Sequence, residues 1–269
     1  MIMVSGANGE LASRVLQELD DRGMPAVGGS RNPVDGQRLL DFDAPAGLDL
    51  TGISTLVLIS AGYGEDDEVI ARHRNVIEAA SRDGVGHVIY TSLTGAGNHL
   101  GFALAHRATE ALLTASDLEW TILRNGLYAE LFGALMTWAG DALESPFDHG
   151  ALSAVARQDL AAAAAVVAGA PTAHSGKTYE LVGAPITAED VAEHLGTAHR
   201  SIGLGEYRAR LLADDALLPF QPPMLASIAS STRHGFLEGT GPDLVELLDR
   251  RPADAVAVAA ATAAAMREP

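Results

Sequence analysis

A glycine-containing segment near the start of the chain has the residue types and spacing of a phosphate-binding turn. It reads Gly6-Ala7-Asn8-Gly9-Glu10-Leu11-Ala12 and directly follows the apolar run Ile2–Val4. Gly6 permits a tight turn, Gly9 lets the backbone approach a pyrophosphate, and the small Ala12 lets a following helix pack closely. The start of that helix would offer free N–H groups and partial positive charge to phosphates. The pattern predicts a dinucleotide site; a plain strand–turn–helix corner is the alternative.

The residues about 20 positions after this loop discriminate between the two nicotinamide dinucleotides. An Asp or Glu there would hold the ribose diol of NAD, whereas an Arg would meet the 2′-phosphate of NADP. The chain has Ser30-Arg31-Asn32 at this place and no acid. Arg31 could bind the phosphate in a bidentate manner, and Ser30 and Asn32 could add donors. We therefore predict a preference for NADP(H), with a solvated surface arginine as the alternative.

Positioning such residues requires a parallel sheet, and the first two-thirds of the chain has the matching pattern. Short apolar runs alternate with helical patterns, which is typical of an α/β, doubly wound, Rossmann-like sheet. From Pro185 onward, the pattern predicts helices and loops. Strands are predicted at Ile2–Val4, Ala26–Val27, Leu39–Leu40, Leu56–Ile59, His87–Tyr90, Trp120–Leu123 and Lys177–Val182, and helices at Glu10–Arg22, Glu68–Ser81, His99–Thr114, Leu127–Ala139 and Gln158–Ala168.

The predicted organisation is a dinucleotide-binding core followed by a small lobe. Residues 1–150 are expected to form the NAD(P)-binding Rossmann core. Residues 151–269 are expected to add the remaining core elements and a mostly helical C-terminal substrate lobe. Because no repeat or low-complexity linker separates them, we expect one structural unit.

Composition excludes several function classes. The chain carries 18 Lys+Arg against 35 Asp+Glu, a net charge of −17, which argues against a nucleic-acid partner. The lack of cysteine excludes disulfides, thiolate metal sites and a cysteine nucleophile. The histidines lack a ligand spacing, so no metal is expected. The chain shows no targeting segment, and its Ala-rich stretches are too short to span a membrane, which predicts a cytoplasmic protein with a small-molecule substrate. A homodimer is left open.

Several stretches together resemble a known family, the NmrA-like branch of the atypical short-chain dehydrogenases. Within it, the chain resembles the bacterial NADPH-dependent type 2 quinone oxidoreductases and the triphenylmethane reductases. The matches recur in order over most of residues 1–200. Beyond the glycine loop they are Ser30-Arg31-Asn32-Pro33, Leu58-Ile59-Ser60, His73-Arg74-Asn75-Val76-Ile77, Tyr90-Thr91-Ser92-Leu93, Leu123-Arg124-Asn125-Gly126-Leu127-Tyr128 and Gly176-Lys177-Thr178-Tyr179-Glu180-Leu181.

The resemblance implies a role for each loop at the carboxyl ends of the strands. Asp41 and Phe42 would border the adenine. The loop Ser60-Ala61-Gly62 would border the pyrophosphate and ribose. The segments Thr91-Ser92-Leu93 and Asn125-Gly126-Leu127 would meet the nicotinamide end. The chain departs from the family between Arg31 and Leu39, where a turn replaces the usual helix, so the adenine side should be more open.

Classical short-chain dehydrogenases carry a Tyr-x-x-x-Lys pair, in which the Tyr donates the proton and the Lys lowers its pKa and holds the ribose. The corresponding residues here are Phe102 and His106. A phenylalanine cannot donate a proton. The quinone-reductase resemblance tolerates this loss, because a quinone accepts hydride readily and positioning supplies most of the rate. His106 is the catalytic candidate: it could contact the nicotinamide ribose or the substrate and pass a proton. A helix histidine that is merely hydrogen-bonded is the alternative.

An apolar substrate pocket could be lined by Phe102, Tyr128, Phe132 and Trp138, although aromatics at this spacing also suit a core. The resulting hypothesis is an NADPH-dependent oxidoreductase that transfers hydride to a quinone-like or other flat, apolar acceptor. A non-catalytic dinucleotide sensor is one alternative. A reductase, isomerase or lyase of a natural-product pathway is the other.

Overall fold

A parallel sheet forms the centre of the part of the chain that the sequence predicts to bind a dinucleotide. The computed structural model describes residues 1–61 and 64–267. The strands are β1 (Ile2–Ser5), β2 (Ala26–Ser30), β3 (Arg38–Leu39), β4 (Thr55–Leu58), β5 (His87–Leu93), β6 (Glu119–Asn125), β7 (Thr137–Ala139), β8 (Ala142–Ser145), β9 (Ala151–Ser153), β10 (Lys177–Leu181), β11 (Pro185–Thr187) and β12 (Ala198–Ser201). Within the described residues, the main sheet has the order β10-β6-β5-β4-β1-β2-β3, with every pair parallel. The predicted doubly wound, Rossmann-like α/β fold is confirmed.

Helices cover both faces of the main sheet and also form most of the C-terminal region. They are α1 (Glu10–Asp21), α2 (Asp66–Arg82), α3 (Ala103–Thr114), α4 (Ala129–Ala134), α5 (Arg157–Gly169), α6 (Ala188–His194), α7 (Leu204–Leu212), α8 (Gln221–Arg233), α9 (Asp243–Leu248) and α10 (Ala255–Ala265). Helices α1 and α5 pack on one face, where Val15 and Leu160 join a shared core. On the other face, α2 and α3 contribute Val76 and Leu113. Strands β4 and β5 are buried along their whole length, which explains their continuous apolar sequence.

The C-terminal region is mostly helical, but it also contains short strands that the sequence pattern did not predict. Strands β7, β8 and β12 form a small mixed sheet, and β9 pairs with β11. The prediction of one helix over Leu127–Ala139 is wrong in its second half. Helix α4 ends at Ala134, and a hairpin turns at Gly140, whose φ is +63°. The strands after Pro185 were missed because runs of three or four residues show no alternation.

A separate core joins this region to the end of the main sheet. Phe132 of α4 is fully buried and stacks on Phe147, with ring centroids 4.8 Å apart. Helices α6, α8 and α10 close around this pair with small and aliphatic side chains. Across residues 1–61 and 64–267, none of the helices combines the length and the apolar character that crossing a membrane requires.

Helices α4 and α10 approach so closely that a side chain at Gly133 has no room. A Cβ added there would lie 2.1 Å from the carbonyl oxygen of Ala259. We predict that Gly133→Ala lowers the free energy of unfolding by about 1–3 kcal/mol, the usual cost of overpacking. Urea unfolding at equilibrium measures this.

The matched control is Gly205→Ala, in an exposed turn of α7 where no described atom lies within 4 Å of the new Cβ. It should leave stability unchanged or raise it by up to about 1 kcal/mol. An equal loss in both variants would contradict the close packing of α4 against α10.

Candidate active site

The loop between β1 and α1 has the geometry of a pyrophosphate cradle. Gly6 has a φ of +66°, which favours glycine, and Gly9 is the extended residue that begins α1. A Cβ at Gly9 would lie 3.2 Å from the carbonyl oxygen of Gly6, so a side chain there would crowd the turn. None of the described side chains caps α1. The first-turn N–H groups therefore face the cleft and are available to an anion.

Asn8 ties this loop to the end of β2. Its Nδ2 donates to Ser30 Oγ (3.0 Å) and to the carbonyl oxygen of Asn32 (2.9 Å), while its Oδ1 accepts from Gln37 Nε2 (2.9 Å). The Asn32 backbone N–H also donates to Ser30 Oγ (3.1 Å). The Ser30 hydroxyl accepts both bonds and keeps its own proton for a ligand. Asn8 thus holds the two phosphate-side loops together.

Three arginines line the cleft that begins at this loop. The cleft has a volume of about 710 Å³, and its wall includes Glu10, Leu11, Asp41 and Phe42 as predicted. Arg31 is exposed, and within the described part of the chain it makes no hydrogen bond or ion pair. The turn over residues 33–37, with Gly36 at a φ of +83°, leaves it open to solvent.

The other two arginines, Arg72 and Arg157, were missed by sequence reasoning because each comes from a helix remote from the loop. Arg72 Nε donates to Asp43 Oδ1 (2.7 Å), and this bond lowers the pKa of the Asp43 carboxyl. The guanidinium of Arg157 lies 4.5 Å above the ring of Tyr128, and its Nη1 lies 3.6 Å from Glu130 Oε2. Both arginines line the cleft.

The loop after β4 is held by side chains beneath it. The Ser60 N–H donates to Thr91 Oγ1 (3.0 Å), and the Ala61 N–H donates to His73 Nε2 (2.9 Å). His73 is fully buried, and burial lowers its pKa to about 3. The neutral ring accepts at Nε2, so its Nδ1–H donates to Thr109 Oγ1 (2.8 Å). His73 therefore shapes the predicted cofactor loop. Gly62, also predicted to bind there, lies outside the described residues.

A second cavity continues the cleft at the predicted nicotinamide end. Its volume is about 350 Å³, and Ile59, Ser60 and Tyr128 belong to both walls. The structure brings the predicted segments Thr91–Leu93 and Asn125–Leu127 to this wall. Asn125 Oδ1 is buried and has no hydrogen-bond partner within the described chain. The wall also includes Phe220, Pro223, Met224 and Ile228, from α8 and its approach, which sequence reasoning did not identify.

A buried carboxylate fixes the ends of β5 and β6 beside this cavity. Glu110 Oε1 accepts from Ser92 Oγ (2.5 Å), and Glu110 Oε2 accepts from Arg124 Nη2 (2.7 Å). Burial raises the pKa of Glu110, but the bonds from Arg124 and Ser92 outweigh it and the net pKa is lowered. Arg107 also pairs with this carboxylate and donates to the carbonyl oxygen of Leu93 (2.6 Å). The Ser92 hydroxyl is therefore committed to this network.

Phe102 and His106 stand together on the cavity wall, as their predicted roles require. Their ring centroids are 6.3 Å apart. His106 Nδ1 lies 3.0 Å from the hydroxyl of Tyr90. Burial, and then the charge of Arg107, lower the pKa of His106 to about 4, so the ring is neutral at pH 7.

Two predicted pocket residues lie elsewhere, one on the buried face of α4 and one beyond the end of this helix, which is shorter than the sequence pattern suggested. Phe132 is in the core against Phe147, and Trp138 is on β7. The Trp138 Nε1–H donates to the carbonyl oxygen of Ala263 (2.8 Å). Neither is among the described residues that line the cavity. Tyr128, by contrast, lies at the junction of the cleft and the cavity.

A parallel sheet whose glycine loop opens into such a cleft is the architecture of NAD(P)-binding reductases. The chain belongs to the NAD(P)H-binding family, whose sequence model matches residues 6–171. It is 33% identical to quinone oxidoreductase 2 of Escherichia coli (strain K12), over 80% of this chain and 86% of that protein.

Two solved structures share the fold over nearly the whole chain. Triphenylmethane reductase of Citrobacter sp., complexed with NADP(H), superposes with a TM-score of 0.84 at 27% identity, over 98% of this chain and 100% of that chain. NADPH-dependent quinone oxidoreductase QOR2 of Escherichia coli, complexed with NADPH, gives a TM-score of 0.84 at 29% identity, over 97% and 99%. The chain is an NAD(P)H-dependent oxidoreductase, and the predicted resemblance to these reductases is confirmed.

The buried, neutral His73 predicts a dependence of stability on pH. Its pKa is about 3 in the native state against about 6.5 when exposed. Below pH 6.5 the unfolded chain binds a proton at His73 that the native state does not bind. The free energy of unfolding therefore decreases as the pH is lowered from about 6.5 to about 3. In the variant His73→Gln, the loss of unfolding free energy between pH 7 and pH 5 should be smaller by roughly 2 kcal/mol.

Urea unfolding at the two pH values measures this difference. The control is His194→Gln, which removes an exposed imidazole at the end of α6, and it should follow the wild-type pH dependence. An unchanged pH dependence in His73→Gln would show that His73 is not held neutral in the native state.

Proposed function

We propose that the chain transfers hydride from NADPH to a quinone-like or other flat, apolar acceptor, without the Tyr–Lys pair of classical short-chain dehydrogenases. The observation that carries this proposal is the apolar cavity of about 350 Å³ that continues the dinucleotide cleft. A ring system bound there would lie next to the nicotinamide end of a cofactor in the cleft. The relatives that act on quinones and triphenylmethane dyes, judged by their names, support the same substrate class.

The residues of the cleft fit a dinucleotide. The uncapped start of α1 and the turn at Gly6 suit a pyrophosphate, and Arg31 suits a 2′-phosphate. The buried Asn125 Oδ1, without a partner among the described residues, suits the amide N–H of a nicotinamide. When bound, the reduced nicotinamide supplies a hydride to the acceptor.

The residues of the chain supply position and a dry environment. Phe102, Leu127 and Met224 form apolar walls that exclude water from the reacting atoms. Phe102 cannot donate a proton. We therefore place the imidazole of His106 against the acceptor. Because a quinone accepts hydride readily, orientation against such walls accounts for most of the required rate.

The charge around the cavity favours neutral or cationic acceptors. Glu65 and Asp66 lie at its mouth, and the described part of its wall contains no lysine or arginine. A sulfonate group brought to this mouth would meet like charge and no counter-ion.

Oxidation of NADPH, followed by its absorbance, tests the function with pairs of quinones that differ by one sulfonate group. We expect turnover with neutral naphthoquinones and several-fold lower kcat/KM with the sulfonated partners, because of the acidic mouth. Reduction of the sulfonated quinones at the same rate would contradict the charge argument. NADPH binding without oxidation by any quinone would contradict the function and favour a dinucleotide sensor.

Arg31 predicts the choice between the two dinucleotides. Removing its charge-assisted bond to the 2′-phosphate in Arg31→Ala should weaken NADPH binding roughly tenfold and leave NADH binding unchanged. Titration of both dinucleotides measures the two affinities. Arg208→Ala, an exposed arginine of α7 outside the cleft, is the matched control and should change neither. Equal affinity of the wild-type chain for NADPH and NADH would contradict the role of Arg31.

The cellular location, the partners and the domain division of the protein remain predictions. We propose a small-molecule substrate, a cytoplasmic location and no nucleic-acid partner, with the division at residues 150 and 151 separating the cofactor core from the region that completes the substrate side. A homodimer is compatible with this function.

A further inference from the structure

Tyr90 is a fully buried residue of β5 that the proposed function does not use. Its phenol oxygen lies 3.0 Å from His106 Nδ1, on the side of the imidazole away from the ring's other nitrogen. The hydroxyls of Thr109 and Ser60 also interact with the phenol. His106 itself lines the acceptor cavity, and no described group bonds its Nε2.

The surrounding protons determine the direction of this bond. The Thr109 hydroxyl lies near the phenol, but it donates to the carbonyl oxygen of Ala105 (2.7 Å) and accepts from His73 Nδ1. The Ser60 hydroxyl also interacts with the phenol, and its proton has no other acceptor among the described residues, so it can donate to the phenol oxygen. A neutral imidazole nitrogen accepts more strongly than a hydroxyl oxygen, so the Tyr90 proton is directed to His106 Nδ1.

The opposite arrangement would use weaker partners. If His106 carried its hydrogen on Nδ1 and donated it to Tyr90, the phenol proton would pass to the hydroxyl oxygen of Thr109 or Ser60 and not to the imidazole nitrogen. Burial also raises the pKa of Tyr90, so the phenol keeps its proton.

We infer that Tyr90 fixes the tautomer of His106, with the hydrogen on Nε2, so that Nε2–H donates a hydrogen bond to the oxygen of the hydride acceptor. Tyr90 is a positioning residue, and its effect passes through His106. The inference depends on the proposed function for the identity of the acceptor. A donor aimed at an acceptor oxygen stabilises the negative charge that develops there as hydride arrives.

The tautomer can be measured without any turnover. Nitrogen-15 NMR of histidine-labelled protein distinguishes a protonated ring nitrogen from an unprotonated one, and the loss of signals in His106→Gln assigns His106. We expect Nε2 protonated and Nδ1 unprotonated in the wild type, with a mixed or reversed pattern in Tyr90→Phe. A hydrogen on Nδ1 in the wild type would overturn the inference.

Steady-state kinetics with a neutral quinone test whether the donor matters. We expect Tyr90→Phe to lower kcat/KM roughly three- to tenfold, the effect of one ordinary hydrogen bond, with NADPH affinity unchanged. His106→Ala should lose at least tenfold, and His106→Gln, which keeps an N–H donor, should retain more activity than His106→Ala. In the His106→Ala background, Tyr90→Phe should cause no further loss.

Tyr179→Phe is the matched control, because the chain contains a second phenol–imidazole pair away from the cavity. The Tyr179 hydroxyl lies 2.7 Å from His174 Nδ1, and neither residue is on the described cavity wall. This variant should keep the wild-type kcat/KM.

An equal loss from Tyr90→Phe with and without His106 would show a general structural role and overturn the inference. The Nε2–H tautomer together with no reduction of any quinone would contradict the proposed function and the acceptor contact, while the control of the tautomer by Tyr90 would stand.

Discussion

Parallel strands that end at one edge of a sheet leave backbone N–H groups in the loops without sheet partners, and the site depends on how those groups are satisfied. The Ala61 N–H is bonded by His73, and the Ser60 N–H by Thr91. The Gly95 N–H donates to Glu180 Oε2 (2.9 Å) from across the sheet. Asn8 joins the loop after β1 to the end of β2, because its Nδ2 donates to Ser30 Oγ and to the carbonyl oxygen of Asn32. These loops are therefore held in place by side chains, most of them from neighbouring elements.

The distribution of charged residues also determines how the cofactor can bind. A chain with a net charge of −17 is expected to repel a polyanionic cofactor. Around the cleft, however, Arg31, Arg72 and Arg157 face the glycine loop and the start of α1. Arg72 and Arg157 are each balanced by a carboxylate, whereas Arg31 has no ion pair among the described residues. The cleft wall also carries Glu10, Asp41 and Asp43, so the attraction for phosphate comes from Arg31 and the uncapped start of α1, not from an excess of arginine.

The sequence predicted the parts of this site whose signal is local. Gly6 and Gly9 lie next to a strand, and His106 occupies a family motif position, so spacing was sufficient to find them. His73 and Tyr90 lie in stretches that carry the family resemblance, but their contacts, like those of Arg157, join distant elements, so the sequence did not specify these contacts. Trp138 was misplaced because its aromatic ring fits a helical period equally well, and only the glycine turn at Gly140 indicates a hairpin. Fold and cofactor class were therefore predictable, whereas the acceptor wall and the hydrogen-bond network depended on tertiary packing.

The cavity has two walls of different origin. One consists of the ends of β5 and β6, which are held by Glu110 and, in our proposal, meet the nicotinamide end of the cofactor. The other consists of Phe220, Met224 and Ile228, which lie far along the chain on α8 or directly before it, and are absent from the described wall of the dinucleotide cleft. Substitutions in α8 can therefore change which acceptors fit without altering the machinery that holds the dinucleotide. Evolution or design can therefore change the range of acceptors by substitutions on the cavity-facing side of α8. The strand ends and loops beside the dinucleotide cleft would stay the same.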